Sequence, residues 1–469
     1  MCKHMTSHDH RDTTLSTSKF IQRLTLLLFI LLPIQTRWIA VPATLHGGYW
    51  EYGTVSLYAT QIFIFLIAAY YLLQTYKNKK QPLSLLIVKS WVGLFITKHK
   101  VLTLFLFWLL LSILWAPRTA AIGVWLLLFL TAVCFWYVLQ ASKLSLKVIL
   151  VSVGIGMLIS GGIGMIQFAQ QHVPASSLWG VAEQNPQDLG PSTVETSLRR
   201  WLRGYGTFPH PNLLGGWMVL GLLCWLGVFL ATHPLTSDKD SWARLMAIVG
   251  TVVGAGGLWL SFSRSAWLGF CVFLFLFWLY VLIKKRTWFI PVFKWTLLIA
   301  LMLVISAAVF EDPFRARTSF VDQSSLAQFR LEEQSQNDRV KQWQEAKDIG
   351  FSKTAGVGSG VGNYTAFLGR LFPSREVYQL QPMHSTPVLV GLELGIIGSF
   401  LLLLLIIQYI KKFVQHPFGM FLLIAVLGMM LFDHYWWSLY PGVLATTFAF
   451  WFAAQNITKP EQLRIFGAS

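Results

Sequence analysis

The residues of this chain best suited to chemistry are a histidine and several arginines, each where a polar segment gives way to an apolar run. His384 lies at one such border, in "MHSTPVLVGLELGIIGSF" (383–400). A helix-entry imidazole has two readings. It can be a structural hydrogen-bonding group, the commoner role. It can also be a base, because an unperturbed pKa of about 6.5 lets it take a proton from a hydroxyl near neutral pH. Gly391, Gly395 and Gly398 follow on one helical stripe, which permits close approach by another helix or a lipid chain. Arg264 sits in "LWLSFSRSAWLGF" with almost no loop around it, flanked by Ser263 and Ser265, small donors that leave room for an anion. A snorkelling helix-end arginine is the plainer alternative there. "RGYGTFPHPNLLGGW" (203–217) brings Arg203, Tyr205, His210 and Asn212 to the entry of another apolar run. Pro211 suits a first helical turn with Asn212 beside it, so a capped helix start accounts for much of this stretch. Arg203, within the group Arg199, Arg200 and Arg203, is harder to assign to packing. Arg339 opens "RVKQWQEAKDIG", where Val340, Trp343 and Ala346 or Lys347 follow the spacing of an amphipathic helix over 338–350. The rigid fork of a guanidinium suits bidentate binding of phosphate or carboxylate. The set reads as a site for an anionic, phosphate-bearing substrate.

Such groups must be held by membrane helices. The 469 residues are 55% hydrophobic and only 12% charged, whereas soluble domains carry about 25% charged residues. Apolar runs recur from end to end, and a span needs roughly 20 of them. The spans expected are 22–38, 55–75, 101–117, 121–140, 148–167, 213–232, 245–262, 266–283, 295–310, 386–410, 418–434 and 441–455, about twelve in an all-α polytopic membrane protein. Residues 82–97, interrupted by Lys89, are expected to lie along the interface. The first run follows a polar leader (1–21) and has no small-residue cleavage site close behind it, so it reads as a retained helix. Cys2, Cys134, Cys224 and Cys271 are too scattered to suggest disulfides or a metal centre.

The formal charge of +17 matters less than its placement. Short lysine-rich connections at 76–81, 142–147, 284–294 and 411–412, and a tail (456–469) with Lys459 and Arg464, read as cytoplasmic, with both termini on that side. The opposite face carries two long loops, 168–212 and 311–385, and its cations are almost all arginine. "GVGSGVGNY" (356–364), ending on Tyr364, has glycines at every second position but lacks the lysine and Ser/Thr of a nucleotide loop. It reads as a tight turn against the membrane surface. Asp433 and His434 in "LFDHYWWSLY" could orient a site group, although an interfacial aromatic belt explains that stretch without one.

"HSTPVLVGLELGIIGS" fits the pattern His-[Asn/Ser/Gln]-x9-Gly-x-x-Gly of the O-antigen ligases, through His384, Ser385, Gly395 and Gly398. "RGYGTFPHPNLLGGW", "SFSRSAWLG" and "GVGSGVGNY" resemble the other recurrent blocks of the O-antigen ligase and polymerase superfamily, in the same order. The resemblance runs from about residue 20 to 455. It implies a GT-C-type glycosyltransferase of the bacterial cytoplasmic membrane that needs neither nucleotide nor metal and has no nucleic-acid partner. Such enzymes move a glycan from undecaprenyl pyrophosphate to an acceptor hydroxyl on the outer, periplasmic face, such as one on lipid A core, with inversion. Carried over, His384 would be the general base, and Arg203, Arg264 and Arg339 would hold the pyrophosphate. Arg200, Tyr205, His210, Asn212, Tyr364, Ser385 and Asp433 stand as supporting positions.

Polymerisation of lipid-linked repeats and transfer to protein share this layout. Arg339 and Gly350 fit the loose Arg-x10-Gly spacing of polymerases, whereas the complete histidine motif favours ligation. A transporter or flippase would place ionisable groups near the bilayer midplane, and Glu393 is the clearest candidate for one.

Overall fold

The computed structural model describes residues 7–78, 100–196, 198–232, 238–318, 339–351, 356–413 and 417–455. The interfacial stretch 82–97 and the tail 456–469 lie outside them. The described chain is mostly helical. α1 (Ser7–Leu31) leads through β1 (Arg37–Val41), β2 (Thr44–Leu45), β3 (Gly48–Tyr49) and β4 (Val55–Tyr58) to α2 (Ala59–Asn78). Next come α3 (Lys100–Leu111), α4 (Thr119–Ala141) and α5 (Leu146–Gln170), then the hairpin β5 (Thr193–Glu195) and β6 (Arg200–Leu202). α6 (Pro211–Ala231), α7 (Asp238–Leu260), α8 (Arg264–Lys284), α9 (Phe289–Val309) and α10 (Glu311–Thr318) follow. A helical segment, 339–345, runs into a π-helical turn, Ala346–Phe351. The chain ends with α11 (Tyr364–Leu371), α12 (Thr386–Phe413), α13 (Pro417–Met430), α14 (Tyr435–Ser438) and α15 (Tyr440–Ala453).

Among the described residues, eight helices are long and apolar enough to cross a membrane: α2, α4 to α9 and α12. The expected count of twelve is therefore not reproduced by length and hydropathy. α3 and α13 are shorter apolar helices. The first expected span departs from helix after Leu31 and enters a strand at Arg37, and the last is the 14-residue α15. The all-α expectation also needs amendment, because three antiparallel strand pairs occur, β1–β4, β2–β3 and β5–β6.

α6 is apolar on every side, and such a helix belongs inside a bundle; its membrane-length window is wholly buried. It packs between α5 and α7. Small residues permit the approach: a Cβ on Gly221 of α6 would come within 2.8 Å of Met157, and one on Gly154 of α5 within 2.6 Å of the Trp225 ring. By contrast α9 exposes Ile290, Phe293, Leu297, Leu301 and Val304, as a lipid-facing helix would.

The ends of α1, α5, α7 and α13 meet the starts of α6, α8 and α12 at one end of the bundle. Its irregular backbone is satisfied by protein, the condition for non-helical chain near membrane depth. Gly204 N donates to Leu260 O (3.0 Å), and the Gln167 amide both donates to Gly206 O (2.9 Å) and accepts from Gly206 N (2.8 Å). Thr207 Oγ1 donates to Pro33 O (2.7 Å).

α12 is not the continuous stripe of glycines the spacing suggests. Gly395 has φ 67° and ψ −171° and breaks it into two halves. A Cβ there would lie 2.6 Å from Gly356 O and Gly358 N, so only glycine fits. The carbonyls freed by the break are all taken: Leu392 O by Ser359 N (2.9 Å), Glu393 O by Gly360 N (2.9 Å) and Leu394 O by Trp108 Nε1 (2.9 Å). The glycine-rich segment 356–362 is thus a turn, as expected, and its function is to seal this gap.

Candidate functional site

A cavity of about 980 Å³ opens where the helix ends converge. Arg200, Arg203, His210, Asn212, Arg264, Arg339 and His384 all line it. Four chain segments far apart in sequence supply them: 200–212, and those around 264, 339 and 384. Of the other positions singled out by sequence, Tyr205, Tyr364, Ser385 and Asp433 lie buried behind the wall. Sequence reasoning missed Arg317, Lys341, Gln342 and Arg375, which also line the cavity. Arg317 lies in the last turn of the short polar helix α10 and Arg375 in a loop, and only their membership in an arginine-rich face could have flagged them.

Among the described lining residues, seven cationic side chains face two carboxylates, Glu195 and Glu345. Each carboxylate is taken by an ion pair, Glu195 with Arg200 (2.9 Å, across the β5–β6 hairpin) and Glu345 with Arg375 (2.6 Å). The cavity therefore keeps a net positive field, and clefts with charged, low-dielectric walls concentrate oppositely charged ligands.

Arg203 is buried and fixed at two points. Its Nε donates to Ser261 O (2.7 Å), just past the C-terminus of α7, and its Nη2 donates to Asn212 Oδ1 (2.6 Å) at the start of α6. Carbonyls at a helix C-terminus carry partial negative charge, which favours the guanidinium. Burial lowers its pKa to about 10, so it stays charged at neutral pH. Arg264 begins α8 immediately after the Ser263 N-cap, whose side chain accepts from Ala266 N. It is exposed into the cavity. Arg317 Nε donates to Phe262 O (3.2 Å).

Asp433 joins three of the convergent helix starts. Its carboxylate accepts from Asn212 Nδ2 (2.9 Å) and Ser265 Oγ (2.6 Å), and its backbone carbonyl accepts from Thr386 Oγ1 (2.6 Å). The stretch "LFDHYWW" is thus more than an aromatic belt: one buried residue fixes the entries of α6, α8 and α12 to each other. Burial raises the Asp433 carboxyl above its ordinary range, while the hydrogen bonds from Ser265 and Asn212 and the charges of Arg339 and Arg203 oppose that rise.

His384 precedes α12 and is half-buried. Gln342 Oε1 accepts from its backbone N–H (3.4 Å), and its ring meets that of His434 at 5.3 Å between centroids. Among the described residues no hydrogen bond engages the imidazole itself. Burial and the Arg339 charge push its pKa down to about 4, so both the ring and its lone pair are available at neutral pH. His434 is itself bonded, with Nδ1 at 2.7 Å from Ser438 Oγ, and burial holds it neutral.

His210, not Asn212, caps α6. Its Nδ1 accepts from Asn212 N (3.1 Å), so the proton sits on Nε2, which donates to Ser192 Oγ (2.9 Å). Burial and Arg203 lower its pKa to about 3. Tyr205 serves the same loop, its hydroxyl accepting from Ser192 N (2.7 Å). Tyr364 and Glu393 belong to the sealed break in α12. The Glu393 carboxylate accepts from Trp437 Nε1 (2.8 Å) and from the backbone N–H groups of Gly362 and Tyr364. The in-span carboxylate that is the clearest candidate for transport is thus committed to structure. Ser385 is buried, and its carbonyl accepts from Leu389 N (2.9 Å) in the first turn of α12.

A neutral imidazole and guanidiniums from separate segments, lining one cavity, can hold a polyanion while a hydroxyl loses its proton. No curated protein matches this chain. Residues 249–404 match the O-antigen ligase family model, a stretch that includes Arg264, Arg317, Arg339, Arg375 and His384. Together with the motifs and the membrane helices, that match makes the chain similar to the O-antigen ligases over those residues.

Proposed function

We propose that the protein is a ligase-type glycosyltransferase that moves a glycan from undecaprenyl pyrophosphate to an acceptor hydroxyl at the outer face of the bacterial cytoplasmic membrane. The observation that carries this reading is the single cavity that joins a neutral His384, whose imidazole has no hydrogen bond among the described residues, to Arg203, Arg264 and Arg339. The acceptor oxygen attacks the anomeric carbon from the face opposite the leaving group. As the new C–O bond forms, the C–O bond to pyrophosphate breaks and its electron pair leaves with the phosphate. The hydroxyl proton passes to His384, a step typically worth about 10²–10⁴-fold. Pyrophosphate is already a good leaving group, so the larger demand is stabilising its developing charge. Fixed guanidiniums in a poorly solvated site do that without reorganising.

Transfer from a lipid-linked oligosaccharide to candidate acceptors in proteoliposomes tests the proposal, with wild type compared against His384→Ala and Arg264→Ala. A glycan appearing once on a new acceptor, and lost in both variants, is the expected result. Full transfer by inserted His384→Ala would remove the base from the mechanism. The Arg339 and Gly350 spacing favours a second reading, polymerisation, which would yield a ladder of longer lipid-linked chains in the same assay. Glycan lipid crossing the bilayer regardless of His384 would mean a flippase instead.

A further inference from the structure

Part of the cavity lining carries uncharged polar side chains, interleaved in sequence with Arg339, Lys341 and Arg375. It is formed by the turn Val377–Gln379, by Gln381, and by Gln342 from the 339–345 helix. Each of these three amides has one half committed to backbone and the other half left over. Gln379 Oε1 accepts from Glu376 N (3.1 Å), which turns its NH₂ outward. Gln342 Oε1 accepts from His384 N, leaving its NH₂. Gln381 Nε2 donates to Tyr378 O (3.0 Å), leaving its carbonyl oxygen. Backbone bonds therefore fix which end of each amide is presented, two donors and one acceptor. Between them the Tyr378 ring is 70% exposed on the same part of the lining.

Uncharged, pre-oriented amides contribute little to holding pyrophosphate, for which the cavity has its arginines. They suit hydroxyl groups, and the electron-rich face of an aromatic ring suits the C–H face of a pyranose. This part of the lining also belongs to the base: Gln342 holds the His384 backbone, and residues 377–381 lead directly into it. Resting on the glycosyl-transfer reading, we infer that Tyr378, Gln379, Gln381 and Gln342 form the subsite for the acceptor saccharide, the sugar whose hydroxyl His384 deprotonates. Specificity for the acceptor resides in these four side chains, whereas the arginines recognise the donor through its charge.

The test is steady-state transfer by the full chain in proteoliposomes with acceptor and donor varied separately. Tyr378→Ala and Gln381→Ala should each raise KM for the acceptor about tenfold, the scale of one lost ring contact or hydrogen bond. kcat and the donor KM should stay near wild type, and Tyr378→Phe should restore the acceptor KM. A raised donor KM, or no change in an active wild-type background, overturns the assignment while leaving the transfer reading intact. A second measurement does not depend on turnover. Saturation-transfer NMR on the solubilised full chain, with a panel of hexose and N-acetylhexosamine disaccharides, should give a signal that Tyr378→Ala weakens and Arg264→Ala keeps. Absence of any signal from wild type, or one indifferent to Tyr378, also overturns it.

Discussion

Two histidines stand at helix entries on the same cavity, and they are used in opposite ways. His210 caps α6 through Nδ1 and donates to Ser192 through Nε2, so both nitrogens are occupied by structure. His384 enters α12 with neither ring nitrogen hydrogen-bonded among the described residues, and the helix entry is instead tied to its neighbours by Thr386, which donates to the Asp433 carbonyl. Burial and a nearby arginine depress both pKa values. What distinguishes them is therefore not protonation but availability. A buried histidine is reactive only when other residues have taken over its structural hydrogen bonds.

The contrast breaks most sharply if His384→Ala fails to reduce transfer. A loss of about 10²–10⁴-fold in kcat is expected for a missing general base, in protein whose insertion is unchanged. Arg203→Ala should cost about 10²–10³-fold, as for one preorganised electrostatic donor. Arg203→Lys should recover little, because a point charge cannot serve Ser261 O and Asn212 Oδ1 together. The pH profile sharpens the comparison further. Neutral imidazole is the active form, so activity falls as pH drops through the His384 pKa. In kcat/KM, which reports the free enzyme, that limb should lie near pH 4. In kcat it should lie higher, since bound pyrophosphate stabilises the imidazolium. Arg339→Gln should shift the free-enzyme limb upward, and coincident limbs in both parameters would contradict this electrostatic account. The smallest effect belongs to the other histidine. His210→Ala should lower stability by about 1 kcal/mol through the lost cap while leaving transfer within severalfold, and His210→Asn should restore most of it. Thermal unfolding in detergent measures the loss.

The helix entries were legible because charge borders and short apolar gaps mark them, as at Ser263–Arg264 and His210–Pro211. That the arginines and His384 share one cavity was suggested by a common face but needed the fold to bring separate segments together. Asp433 was undervalued, since a lone acid beside tryptophans looks like an interface belt until its three partners are seen. The break at Gly395 was hidden for a physical reason: a Gly-x-x-Gly pair fits a smooth helical stripe as well as it fits an interruption. Strands of two to five residues leave no period to detect. Gln342 resembles any polar position of an amphipathic helix and Gln379 and Gln381 any polar loop, and only their committed halves single them out.

The interruption at Gly395 also uncouples rotation along α12. In an unbroken helix, inserting one residue in the lipid-facing half would swing everything before it by about 100°. Here the first half, 386–394, is clamped by Ser359, Gly360 and Trp108, so its azimuth is set by the glycine turn rather than by the residues after it. The second half is free to drift in length and sequence with bilayer thickness. His384 would keep its bearing on the cavity through such changes.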